Sequence, residues 1–269
     1  MTESRWVRIG LRVLTWAVLG FLYLPLLLVA INAFNVSGFM AWPPPGFTLR
    51  WFSEAAANPT ILEAFATSMA AALGAVSIAL VLGTLAAMAV QRFAFFGRES
   101  ISFLLVLPIA LPGVLTGIAL SSTFQTVGIS FGLITIIIGH ATFCVVIAYN
   151  NVIARLRRLP RTPEEASADL GADTWITFRK ITMPGMRTAL FSGALLAFAL
   201  SFDEVIVTVF TAGAGTETIP LWVLGAMQRP TQLPVVNVVA LVLIVISTVP
   251  VYFAQRLSDA GEGGAGGRI

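Results

Sequence analysis

Between Glu99 and Arg155 the chain runs for 55 residues, Ser100–Ala154, without a single Asp, Glu, Lys or Arg. Soluble domains carry roughly a quarter charged residues, so a stretch of this length has no aqueous surface to offer. It fits a bilayer, where a helix of about 20 apolar residues crosses the hydrocarbon core. The run is too long for one crossing, and Gln125-Thr126-Val127-Gly128 supplies a polar, glycine-ended turn that divides it. Two spans follow, at about 100–125 and 131–154.

Further apolar segments at about 10–34, 62–91, 187–211 and 234–257 bring the expected number of transmembrane helices to six. Lipid offers no partner to a bare peptide group, so apolar segments of this length are read as helices. The fold class is therefore an all-α membrane protein, consistent with 57% hydrophobic and 11% charged residues. One transmembrane domain, 1–258, is expected, with a polar loop at 155–186 and a Gly-rich tail at 259–269 that reads as disordered. Arg5, Arg8 and Arg12 ahead of the first segment resemble a signal peptide. The apolar run after them is longer than a usual signal core and AINAFNVSG has no small-residue cleavage pattern, so it reads as a retained helix.

The net charge of +3 might suggest nucleic acid, but the cations sort by topology instead. With six spans, fourteen of the sixteen Lys and Arg residues fall on the side holding both termini and the 155–186 loop; only Arg50 and Arg229 fall on the other. The positive-inside rule makes the first side cytoplasmic. No nucleic-acid partner is expected; membrane lipid is. The single cysteine, Cys144, excludes disulfide scaffolds and cysteine-based zinc sites. In the first outer loop Trp42, Pro43–Pro45, Trp51 and Phe52 read as interface anchors or as contacts for a soluble partner.

Within the polar loop, TPEEASADLGADTWITFRKITMPG (162–185) carries helix punctuation. Thr162 can cap, Pro163 suits the first helical position, and Glu165 can close a capping box. Glu164 and Glu165 complement the helix dipole. Gly171 reads as a left-handed stop, and Asp173 as the cap of a second short helix ending before Pro184. Trp175, Phe178 and Ile181 would then form an apolar stripe facing the helical bundle. The loop is read as a stiff helix-turn-helix.

These residues also carry a resemblance. Glu165-Ala166-Ser167, three residues, Gly171, nine residues, then Ile181-Thr182-Met183-Pro184 resembles the EAA motif of permease subunits in ABC importers, with Ser167 and Met183 as conservative departures. The resemblance implies the type I (MetI-like) importer permease fold, with both termini cytoplasmic. It implies that Glu164, Glu165, Ala166, Ser167, Asp169, Leu170, Gly171, Ile181 and Pro184 form a coupling loop seated on a separate ATPase. Further implied partners are a second homologous permease subunit, making a heterodimer, a dimer of ATP-binding subunits, and a periplasmic or extracellular solute-binding protein. No Gly-Lys-Ser/Thr phosphate loop exists here, since the only lysine is Lys180 in FRKIT. No cofactor is therefore expected on this chain, ATP and Mg being held by the partner ATPase. No catalytic or metal-ligating constellation stands out, and the chain is read as non-enzymatic.

Asp203 and Glu204 interrupt the fifth apolar segment, where a carboxylate costs about 2.5–3.5 kcal/mol on insertion scales. They read either as a cation-attracting pathway site or as a structural pair neutralised by a helix end or a partner. The following TAGAGTETIPLWVLGAMQRPTQLPVVN, together with Ser201-Phe202-Asp203-Glu204, resembles the second permease subunit of spermidine/putrescine importers. That resemblance implies a cationic polyamine cargo; amino-acid, opine and other small-solute importers share much of the pattern. A proton-coupled secondary transporter using Asp203, Glu204 and His140 is the alternative from another class, with His140 otherwise an interhelical contact. Pro108, Pro112, Gly113 and Gly117 are expected to bend or loosen the third span.

Overall fold

The computed structural model describes residues 5–39 and 41–263. Apolar segments close their backbone bonds internally, giving α1 (Arg5–Phe34), α2 (Arg50–Ala57), α3 (Pro59–Arg92), α4 (Arg98–Ala110), α5 (Gly113–Val127) and α6 (Leu133–Arg158). They continue with α7 (Thr162–Asp169), α8 (Thr174–Thr177), α9 (Met183–Phe202), α10 (Ile206–Thr211), α11 (Ile219–Ala226) and α12 (Leu233–Gly263). Among the described residues the sole extended pairing is an isolated bridge between Asn35 and Phe47. Five helical segments among the described residues are long and apolar enough to cross a membrane, and six if α4 and α5 count as one bent crossing.

The third span is bent, as expected from its prolines and glycines: α4 and α5 meet at 105°. Pro112 is the cause, because its ring bars the residue before it from helical geometry. Leu111 accordingly sits extended at φ −82°, ψ 142°. The fifth span is also broken, α9 stopping at Phe202 and α10 starting at Ile206. At the C-terminus α12 runs to Gly263, past the expected boundary at 258, so the first tail residues are helical. No proline interrupts Ser258–Gly263, and glycine costs a helix only about 1 kcal/mol, which does not forbid it. Residues 264–269 of the expected disordered tail lie outside the described residues.

Contacts gather the chain into two units, Met1–Leu62 with Trp222–Val245, and Glu63–Leu221 with Ile246–Ile269. In the first, Trp51 donates from its indole nitrogen to the Asn35 carbonyl at 2.7 Å and is buried. Phe52 packs on Phe34 with ring centroids 4.9 Å apart. Trp51 is thus a loop pin rather than the expected interface anchor, because its indole N–H finds a protein carbonyl. Trp42 remains exposed.

The second unit is built around α6, more than half of whose apolar window is enclosed by protein. Hydrocarbon provides no hydrophobic drive between helices, so small residues and close approach do the packing. One core cluster joins Ala75 and Ala79 of α3, Ala141, Cys144 and Ala148 of α6, Ala197 of α9 and Val207 of α10. A second joins Ala87 and Val90 to Tyr149, Val152, Leu156 and Met186, with Phe178 packed on its edge. A β-carbon at Gly83 would lie 2.8 Å from the backbone nitrogen of Tyr149, which shows how closely α3 rides on α6.

Candidate functional site

Two polar interruptions of the second unit hold the candidate residues: the hairpin of α7 and α8, and the break between α9 and α10. At the hairpin Gly171 has φ +80°, a conformation that a side chain resists. Its N–H bonds to Ala168 O at 2.9 Å and that of Ala172 to Ser167 O at 3.0 Å, the double closure of a Schellman motif. Asp173 Oδ1 then accepts the Ile176 N–H at 2.7 Å and caps α8. Ser167 and Thr177 hydroxyls meet at 3.0 Å across the two short helices. The stop at Gly171 and the cap at Asp173 lie where the sequence puts them.

The start of α7 does not match the expected capping box. The helix begins one residue earlier, behind Arg161, with no side-chain cap. Thr162 is therefore already inside the first turn, and Glu165 is exposed. Glu164 is the carboxylate that engages the protein. Its Oε1 accepts from Arg92 Nη2 at 2.7 Å and from the Thr182 hydroxyl at 2.8 Å. Arg161 Nη2 donates to Gln91 O at 3.1 Å beside it. A cleft of about 370 Å³ lies between these groups, lined by Arg92, Phe93, Glu164, Glu165 and Phe178 among others.

Nor does the second short helix end before Pro184. Pro184 has no N–H for the carbonyl four residues back, and its ring would clash there. The chain widens into a π turn, Phe178–Thr182, in which the Met183 N–H bonds to Phe178 O. Helical geometry continues unbroken from Thr174 to Phe202. The expected apolar stripe splits across this turn. Phe178 packs inward on the α3–α6–α9 cluster, whereas Trp175 stays 65% exposed. Their rings remain in contact, with centroids 5.7 Å apart.

Of the nine residues expected to couple, Glu164 to Gly171 gather on the hairpin, while Ile181 and Pro184 lie at its root. Leu170 is 88% exposed, so Leu170 and Trp175 put apolar surface on an otherwise polar element. Arg92 and Thr182 were not singled out from the sequence. Arg92 stands 72 residues from its partner, and no local pattern marks it.

At the second interruption the two acids separate in role. Glu204 Oε1 accepts the Val207 N–H at 2.9 Å and so caps α10, with its side chain half-buried. Asp203 is exposed. The break is held by α6: His140, almost fully buried, lies 2.8 Å from the Ser201 hydroxyl through Nδ1 and 2.8 Å from the Thr208 hydroxyl through Nε2. The Thr208 hydroxyl donates to Glu204 O at 2.9 Å. Its single proton is thus used, so His140 Nε2 donates to it, while Nδ1 pairs with the Ser201 hydroxyl. The imidazole, with both nitrogens engaged, ties the ends of α9 and α10 to α6. It forms a structural clasp, as expected of an interhelical contact.

A family model described as "Binding-protein-dependent transport system inner membrane component" matches residues 79–261, which include both interruptions. Over 254 residues the chain is 32% identical to the spermidine/putrescine transport system permease protein PotC of Shigella flexneri, covering 94% of this chain and 95% of that one. It is 34% identical over 232 residues to the putrescine transport system permease protein PotI of Escherichia coli (strain K12), covering 83% and 82%. In structure it is similar to a chain from a bacterial ABC transporter involved in import of the acidic polysaccharide alginate. That match has a TM-score of 0.73 at 16% identity, with 95% of this chain and 99% of the other covered.

Proposed function

Because the chain belongs to the family of binding-protein-dependent transport system inner membrane components, we propose that it forms the pathway for a polyamine, such as spermidine or putrescine, in an ATP-driven importer. Membership makes it a permease component of an ABC importer and a multi-pass protein of the bacterial inner membrane. It acts with a second, homologous permease subunit, two copies of an ATP-binding subunit and a solute-binding protein. Both termini and the hairpin face the cytoplasm, in keeping with the positive-inside distribution of Lys and Arg. ATP and Mg are bound by the ATPase alone, and this chain moves without catalysing.

The hairpin is the input. Exposed Leu170 and Trp175 supply apolar anchors and Glu165 a free-standing charge for the ATPase, which closes on ATP and pushes α7 and α8. Since helix continues from Thr174 to Phe202, a push on α8 is passed along α9 to the acidic break. There Asp203 offers its carboxylate to the cationic cargo, whereas Glu204 keeps α10 in place. The observation that carries the cargo class is 32–34% identity, over most of the chain, to permeases named for spermidine and putrescine. A fold shared with an alginate transporter says nothing of cargo by itself. An amino-acid or opine cargo is therefore the second reading.

The test is uptake of radiolabelled spermidine by vesicles holding the complete importer. ATP-dependent uptake that vanishes when the ATPase chain is omitted supports the proposal. Uptake driven by a proton gradient without ATPase would return the chain to the secondary transporters.

A further inference from the structure

We propose that Glu164 is a positioning residue for energy coupling, its carboxylate bolting α7 to the end of α3 and to the root of α9, so that one push moves two membrane helices. This rests on the reading of the hairpin as the ATPase-driven input.

Three segments distant in sequence converge on one oxygen. Arg92 is the last residue of α3, Glu164 lies in the first turn of α7, and Thr182 ends the π turn that feeds α9. Both bonds fall on Glu164 Oε1, at 2.7 and 2.8 Å. The side chains are 12% exposed at Arg92 and 21% at Glu164, so solvent screens the pair far less than an open surface ion pair. Arg92 Nε is buried with no hydrogen-bond partner, so no acceptor on that side competes with Glu164 for the guanidinium.

The space around the pair shows why a bolt is needed. A cleft of about 370 Å³ separates the end of α3 from the hairpin, with Met88 and Phe93 on one wall and Ala168 and Thr177 on the other. Phe178 packs on the edge of the α3–α6–α9 cluster beside it, but where side chains stand apart across the cleft van der Waals attraction fades within an ångström of contact. Polar groups span it instead: Glu164 to Arg92, and Arg161 to the Gln91 carbonyl. The other charged side chains of the hairpin, Glu165, Asp169, Asp173, Arg179 and Lys180, are exposed. Neighbouring acids thus divide the work, Glu165 facing outward and Glu164 gripping inward.

The experiment measures spermidine taken up per ATP hydrolysed by the complete importer in vesicles. Glu164→Gln and Arg92→Met each break the charged pair, and the ratio is expected to fall about fivefold while the ATPase still copurifies and hydrolyses ATP. The swap of Arg92→Glu with Glu164→Arg is expected to recover at least about half of the ratio, which a purely local folding defect would not do. Thr182→Val removes one bond and should lower the ratio about twofold; it carries the test if the charge variants do not accumulate. An unchanged ratio in Glu164→Gln, or in Thr182→Val where that variant must serve, overturns the bolt, as does failure of the swap to recover. If the unaltered importer shows no ATP-driven uptake, the reading of the hairpin falls with it; normal uptake with indifferent variants removes the bolt alone.

Discussion

The hairpin at 162–182 and the break at 203–205 are both polar interruptions of an apolar chain, yet they treat their side chains in opposite ways. In the hairpin, Glu164, Ser167 and Thr182 are engaged by the protein, while the apolar Leu170 and Trp175 are left exposed among charged side chains. At the break, polar groups are sealed in by α6 through His140, and the side chain left exposed is a carboxylate, Asp203. An exposed apolar residue beside water asks for a protein partner, whereas an exposed charge along an apolar segment asks for an ion. The proposed function rests on that difference, assigning the hairpin to a subunit and the break to cargo.

Replacing both Leu170 and Trp175 by Asp strikes the comparison hardest. Buried interface anchors cost ~2–4 kcal/mol each, so ATP-driven uptake should drop about a hundredfold and the ATPase should no longer copurify; retained copurification would break the hairpin's side of the contrast. Gly171→Val comes next. Its φ of +80° opposes a β-branched side chain by ~1–2 kcal/mol, enough to deform the turn, and uptake should fall about tenfold with the chain still in the membrane.

Asp203→Asn should lower spermidine uptake about fivefold, in line with losing a charge-assisted contact, and Glu204→Gln only about twofold, since an amide oxygen can still accept the Val207 N–H. Kinetics measured side by side decide this: a larger loss at Glu204 would reverse the assignment of cap and cargo group. Ser167→Ala should matter least. It removes one hydroxyl contact worth about 1 kcal/mol, and uptake should stay within about twofold of the unaltered protein.

Much of this arrangement could be read from the chain because its causes are local. Pro112 bends the third span through its effect on Leu111, Gly171 ends α7 by its own φ, and Asp173 caps a helix three residues ahead. Sequence and structure part where distant partners decide. A carboxylate in a first helical turn can serve the backbone or a remote cation, and only the fold brings Arg92 to Glu164 and so leaves Glu165 free. Pro184 reads as a helix end, yet a π turn spreads its missing bond over one extra residue. Trp51 looks like an interface anchor until the Asn35 carbonyl is placed beside it. The clasp at His140 needed Ser201 and Thr208, 61 and 68 residues away.

Labelling the hairpin from each side of the membrane tests most directly whether it is the cytoplasmic input. Cys144, the only native cysteine, is buried, so an Ala166→Cys variant presents one exposed thiol. A membrane-impermeant maleimide should reach it only from the cytoplasmic face, and assembly with the ATPase should protect it. Labelling from the outer face, or labelling unchanged by the ATPase, would contradict the coupling role of the hairpin.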